Sequence, residues 1–343
     1  MFRSLGFMTF AAAMFEPAVA YAHHSAAPYD LTREVVFEGT VTKLEWQNPH
    51  VLFTLETRSA DGSAVQQEIE VAGLSLVRAW GLPRDAIAPG EDVVVRAWPA
   101  RRGPQARALG VDVKTVDGRT YPLNLQASSY SFRPSIAAPV NGLAGQWVPT
   151  VQSFNGMFEF VSSPLPYTEE GRAARAALVS ALQASGVANG FCEPMPPLHL
   201  MLVPDLRTIE VNDSSVVISY EAEGMYQRRI VDMDSTAHPA DIVPVTEGHS
   251  IGRWEGDALV IDTVGQLPHR AGSFAVPSTA STRLVERLKL SQDRRQLEYT
   301  FTIEDPAYFT QPISYTASWD HRPDLEPSAV RCDPDNARRA VEQ

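Results

Sequence analysis

The chain has 343 residues, 29 basic and 41 acidic side chains for a net charge of −12, 44% hydrophobic residues and 2 cysteines. That length exceeds what one core usually fills, so about two domains are expected, and the composition excludes wholesale disorder. The acidic balance argues against a nucleic-acid partner, and two cysteines exclude a disulfide-dense scaffold or a four-cysteine zinc site.

Residues 1–22 read as a secretory signal. Arg3 precedes an apolar run, Leu5–Phe15, that is shorter than the roughly 20 residues a membrane-spanning helix needs. Ala20-Tyr21-Ala22 is a small-x-small cleavage site. Cutting after Ala22 delivers a periplasmic or secreted protein; cutting after Ala20 leaves Tyr21-Ala22 in front. Nothing later in the sequence reads as a transmembrane segment.

From Glu34 the apolar residues alternate with period two, the mark of strands. Strands are expected at Val35–Trp46, His50–Thr57 and Ala64–Ala72, a short helix at Leu74–Trp80, then strands at Asp92–Trp98 and Ala108–Val116. Three strands, a helix and two strands is the order of a small Greek-key barrel of the oligonucleotide/oligosaccharide-binding type over residues 23–122. Residues 123–142 gather Ser, Ala and Pro and read as a linker.

A larger antiparallel barrel of lipocalin type, with one helix, is expected over residues 143–335, leaving 336–343 as a tail. Gly142–Trp147 supplies its opening strand, and Thr168 caps a helix at Glu169–Ser185. Strands follow at Leu198–Val203, Thr208–Val211, Ser215–Glu221, Gln227–Val231, Ser250–Trp254, Ala258–Val264, Thr282–Ser291 and Gln296–Glu304, with Tyr315–Trp319 closing the set. Most of the acidic excess lies here: residues 123–343 carry 17 basic and 27 acidic groups, against 11 and 13 in residues 23–122.

His23-His24-Ser25, Glu38-Gly39-Thr40-Val41 and Trp46-Gln47-Asn48-Pro49-His50 resemble a family of small secreted proteobacterial domains that opens His-His-Ser and carries Trp-x-Asn-Pro-His. His238-Pro239, Gly248–Gly265 and Glu304-Asp305-Pro306 are similar to a second exported, β-rich family. Residues 273–278 lack the His-Ser pair of that family. Neither resemblance implies a particular reaction.

Chemistry enters through the processing site. With His23 as first residue, its amine and imidazole grip one metal together, and a further imidazole completes a site suited to copper. His24 and His50 are the candidate third ligands. The arm from residue 23 to 35 reaches about 43 Å when extended, against about 33 Å for the first strand, so it can double back to His50. The bland reading is a polar arm without a ligand, with Asn48-Pro49 as a turn and Trp46 as packing.

Gly248-His249-Ser250-Ile251-Gly252 matches the Gly-x-Ser-x-Gly string of hydrolases, and Asp262 followed by His269 or His321 gives a nucleophile, acid and base in order. The flanking residues read as strand, turn and strand, whereas a nucleophile elbow needs a strand-to-helix turn. His238, His249 and His269, with Asp232, Asp234 and Asp241 nearby, form a looser metal or acid–base candidate. Arg228, Arg229, Arg253 and Arg283 offer a carboxylate site, or are strand-face arginines. Cys192 and Cys332 are a disulfide candidate, the alternative being two buried thiols. The expectation is an exported binding protein for a small apolar molecule, copper or both. The alternative is a hydrolase, isomerase or hydratase acting on a hydrophobic small molecule in the larger barrel.

Overall fold

Strand β1 (Val35–Glu45) shapes the first barrel because it serves two partners. Its first half pairs with β4 (Asp92–Trp98) and its second half with β2 (Leu52–Arg58), with a register shift between Val41 and Lys43 that turns the strand from one to the other. β3 (Ala64–Glu70) continues from β2 and pairs in parallel with β5 (Ala108–Thr115), which closes five strands on themselves. Helix α1 (Leu74–Ala79) and a single 3₁₀ turn at Arg84–Ile87 join β3 to β4, and β6 (Thr120–Pro122) extends the sheet beyond β5. Val41, Phe53, Leu55, Ile69, Val95 and Val113 fill the interior. In this computed structural model the described residues are 29–59, 61–101, 107–124, 139–185, 192–203, 205–222, 225–268, 276–328 and 332–335.

Nine strands make the second barrel. They are β7 (Gly145–Pro149), β8 (Arg207–Val211), β9 (Ser215–Ala222), β10 (Met225–Asp232), β11 (His249–Glu255), β12 (Ala258–Val264), β13 (Arg283–Leu290), β14 (Gln296–Glu304) and β15 (Ile313–His321). The barrel closes through β15 pairing with β7, and every pairing is antiparallel except β10 with β11. The protein is therefore mainly β, with a small closed barrel followed by a larger one.

Two helices precede the run of strands where one was expected. α2 (Val151–Ser162) starts at Thr150, whose Oγ1 accepts the Ser153 amide, and buries Phe154, Met157 and Val161 against the barrel. α3 (Glu169–Ser185) starts at Thr168, whose Oγ1 accepts the Gly171 amide, as its sequence leads one to expect. The segment Leu198–Val203, expected as a strand, instead forms a helical turn, α4 (Pro197–Leu200), and a following turn. It has no strand neighbour because it lies inside the barrel. Leu198, Leu200, Met201, Leu202 and Val203 belong to the same core cluster as Trp147, Tyr299 and Trp319.

Polar side chains tie this plug to the wall. Gln227 accepts the Met195 amide and donates to the Met195 carbonyl, Gln266 accepts the Leu198 amide, and Arg207 donates to the carbonyls of Leu200, Met201, Val203 and Asp205. The Arg207 guanidinium also lies 4.6 Å from the Trp319 ring centroid. Deeper in the wall, buried Arg229 bonds Glu286, Ser250 and Thr263, and Glu286 accepts the Tyr299 hydroxyl at 2.7 Å. Replacing Glu286 by Leu strands a buried guanidinium. It is expected to cost about 3–5 kcal/mol in urea unfolding, with much of the loss recovered in Arg229→Met/Glu286→Leu; equal stability of the single variant and wild type would contradict this pairing.

A disulfide joins Cys192, just ahead of the plug, to Cys332. The Cys332 segment forms a β-bridge with Asn48 of the small barrel, and α1 meets Val148, Leu206 and Leu325 through Ala79. Ser75 accepts the Leu206 amide at 2.8 Å and Arg322 donates to the Ala79 carbonyl at 2.8 Å. The bond spans a sequence separation of 140 residues, so Cys192→Ser/Cys332→Ser is expected to unfold at lower urea, by about 2–5 kcal/mol. An unchanged midpoint would show that the crosslink adds nothing to the folded state's advantage.

Candidate functional site

Trp46 to His50 form the turn between β1 and β2, and neighbours on every side hold it. Asn48 Oδ1 accepts the Leu74 amide at 3.0 Å, which fastens the turn to the start of α1. The Asn48 carbonyl accepts the Asp333 amide at 3.1 Å, and Gln47 donates to the Asp333 carboxylate at 3.0 Å. The Asn48–Pro49 peptide is cis. Gly73 packs so near that a Cβ there would lie 2.9 Å from the Pro49 carbonyl oxygen, closer than real Cβ contacts come.

His50 emerges from this turn buried, with Nδ1 2.5 Å from Glu70 Oε1. Glu70 Oε2 accepts the Tyr29 hydroxyl at 2.5 Å and lies 3.4 Å from Arg107 Nη1. Arg107 is gripped in turn by Glu68, through Nε at 2.5 Å. The chain ends that converge here are fixed by register: Leu52 pairs with Glu70, Ile69 with Ala108, and Tyr29 bridges Ala100 just beyond β4.

Burial alone would push the Glu70 carboxyl upward, but His50, Tyr29 and Arg107 outweigh it and hold its pKa at about 2. The Glu70 carboxylate, 2.5 Å from Nδ1, favours a proton on that nitrogen. This is how proteins orient a histidine that ligates metal: the carboxylate fixes the tautomer and raises the basicity of the far nitrogen. Among the described residues no group of three or more His, Cys, Asp and Glu side chains is arranged to hold a metal ion. A site at His50 therefore needs donors from elsewhere. His23 and His24 lie outside the described residues.

Tyr29, Glu70 and Arg107 are the partners around His50 that sequence reasoning missed. Tyr29 looks like one more residue of the arm, and Glu70 and Arg107 sit at strand ends where a charge is unremarkable. A carboxylate closing an otherwise apolar strand end, Ile69-Glu70-Val71, was the one available signal.

The other candidates divide between the two faces of the large barrel wall. Ser250 points inward, bonded to Arg229 and 2.9 Å from Thr263 Oγ1. Asp262 points outward, where Arg283 Nε and Nη2 hold its carboxylate at 2.9 and 2.6 Å. His249, on the outer face of β11, has its Nδ1 2.9 Å from Nδ1 of His238. The structure thus brings His238, His249 and Asp262 together and places Ser250 across the wall from them. His269 lies outside the described residues, and His321 packs at a tilt against Trp147, with 5.0 Å between ring centroids. Arg228 and Arg253 lie on the exposed outer face, whereas Arg229 is buried.

Residues 12–109 match a family of unknown function, DUF6152. That span carries Tyr29, the Trp46–His50 turn, Glu70 and Arg107, so the whole buried constellation falls within it. No curated protein sequence matches the chain. Among solved structures, a protein of unknown function of the DUF3598 family from Nostoc punctiforme is similar over 83% of this chain and 95% of its own, at 8% identity and a TM-score of 0.19. A likeness at that TM-score carries no argument about fold or chemistry.

No helix among the described residues is long and apolar enough to cross a membrane. Because Glu70 has a depressed folded-state pKa, the stability it contributes is full above about pH 4.5, falls as pH drops below that value, and is gone near pH 2. Its size is on the order of 3 kcal/mol. Glu70→Gln is expected to be less stable at pH 7 and to lose less on acidification between pH 4.5 and 2. A parallel acid limb in wild type and variant, read by urea unfolding at each pH, would remove Glu70 from this role.

Proposed function

We propose that the chain is an exported binding protein whose small barrel holds one copper ion. In this reading the signal is cut after Ala22, His23 supplies its amine and imidazole nitrogens, and His50 supplies Nε2. The observation that carries it is the shared carboxylate: Glu70 orients His50 and at the same time anchors Tyr29, six residues after His23. From Tyr29 back to His23 the arm spans about 20 Å when its six residues are extended. It need not retrace β1 at all.

Nitrogen donors in this number suit Cu(II), and the second-shell carboxylate on Nδ1 is the usual companion of a ligating imidazole. The apolar-ligand reading of the larger barrel has less behind it, because Met195–Val203 and the aromatic residues Trp147, Tyr299 and Trp319 occupy that interior. Small-molecule binding there would require the plug to yield.

The test is Cu(II) titration of the mature protein, with calorimetry and electron paramagnetic resonance as readouts. One tightly held equivalent per chain is expected. His50→Ala and acetylation of the His23 amine should each weaken it at least tenfold, and Glu70→Gln about 10–100-fold. A protein acetylated at the His23 amine that binds as tightly as the parent would overturn the proposal.

A further inference from the structure

Arg207 and Arg229 are both buried in the larger barrel, and the fold treats them differently. Arg229 has a carboxylate, that of Glu286, against its guanidinium. Arg207, with 0% of its surface exposed, has none: no Asp or Glu among the described residues lies within ion-pair distance of it. Its Nη1 donates to the Asp205 carbonyl at 2.7 Å, and its Nη2 to the carbonyls of Leu200, Met201 and Val203 at 3.0, 3.2 and 2.5 Å. Its Nε has no partner among the described residues.

Carbonyl oxygens satisfy hydrogen bonds but carry only partial charge. A buried cation held by them alone lacks the full counter-charge that offsets its desolvation. Burial accordingly pulls the Arg207 guanidinium below its ordinary value. All four carbonyls come from residues 200–205, the end of the plug and the stretch leading out of it, and they stand where a carboxylate would sit against the fork. The guanidinium does not depend on the plug for its position. It lies 4.6 Å from the Trp319 ring centroid and 5.9 Å from that of Tyr220, and Trp319 is itself stacked on Tyr299 at 4.4 Å. These rings belong to β15, β9 and β14 of the wall, and a cation over aromatic faces is attracted to them.

The plug is held more lightly than the wall. Besides Arg207, its polar ties are the Gln227 amide on Met195 and the Gln266 amide on Leu198, side-chain bonds in place of a strand ladder. The disulfide at Cys192 and strand β8 fix its two ends, so it yields by swinging off the guanidinium while staying attached.

We infer that the larger barrel is a binding site for an amphipathic carboxylate of the fatty-acid type, and that the plug fills this site when the ligand is away. The ligand's carboxylate takes the Arg207 fork in place of the carbonyls and supplies the full negative charge they lack. Its alkyl chain, roughly 12 carbons long, replaces the side chains of Leu200, Met201, Leu202 and Val203 at similar volume. Plug and ligand compete for one guanidinium, so apparent affinity falls with the fraction of molecules in which the plug is seated. The site shares no residue with His23, His50 or Glu70, and it stands apart from the copper reading.

The experiment titrates the full mature chain, without copper, with dodecanoate below its micelle concentration. Calorimetry gives stoichiometry, and tryptophan fluorescence reports on Trp147 and Trp319. One saturable equivalent is expected, with dodecanol bound at least tenfold more weakly. Arg207→Gln, which keeps amide donors toward the carbonyls but removes the charge, should bind dodecanoate at least tenfold more weakly. Gln227→Ala and Gln266→Ala, which loosen the plug, should bind it severalfold more tightly. Hydrogen exchange of the Leu200, Met201 and Leu202 amides should quicken when the ligand saturates the site. If Arg207→Gln does not fold, judged by circular dichroism, the comparison of dodecanoate with dodecanol on the unaltered chain reads the same carboxylate contact. Absence of saturable binding, equal affinity for dodecanol, or plug amides that exchange no faster with ligand would overturn the inference and leave Arg207 as a clamp on the plug.

Discussion

The Glu70 carboxylate is the constraint around which the small barrel is organised. A carboxylate buried without partners would cost several kcal/mol, so the fold must bring it donors from separate parts of the chain. It does so with the arm ahead of β1 through Tyr29, the start of β2 through His50, and the start of β5 through Arg107. These three segments meet only when β3 and β5 pair and the barrel is closed. The same contacts that satisfy the charge thus hold His50 in place and fix Tyr29, from which the N-terminal arm departs. Stability and the chemistry proposed for the site rest on one group.

The turn that presents His50 also belongs to the second barrel's wiring. Gln47 and Asn48 hold Asp333, Cys332 next to it is bonded to Cys192, and Cys192 leads into the plug that fills the larger barrel. Ser75, Arg78 and Ala79 of α1 add contacts to Leu206, Glu221 and Arg322. The Trp46–His50 turn is therefore joined to the plug of the other barrel through hydrogen bonds to Asp333 and the Cys332–Cys192 bond.

Much of the architecture is legible in the residues because strand burial repeats every second position. Phe53 and Leu55, or Leu284, Glu286 and Leu288, show the phase directly. The order of strands and helix in the first barrel follows from that alternation. Leu198–Val203 reads as a strand because a short apolar run has no phase that separates a strand from a buried turn, and only the barrel around it decides. α2 is hidden by its own composition: Val151, Phe154, Phe160 and Val161 are residues that strands favour, and the helix is stabilised by Thr150 and by packing. At the site, His50 is visible through its turn. Its partner, Glu70, is not, since their contact spans 20 residues of sequence and depends on the Leu52–Glu70 register. The meeting of His238 with His249 likewise rests on how one loop folds back, which no local spacing encodes.

Paramagnetic broadening in nuclear magnetic resonance spectra of the copper-loaded mature protein probes the arrangement most directly, because its range is short and its centre is the ion. One equivalent of Cu(II) is expected to erase the signals of His50, Tyr29 and their neighbours around Glu70 while leaving most of the larger barrel sharp. Broadening confined to the first residues of the chain, with the His50 ring signals intact, would contradict a copper ion held at His50.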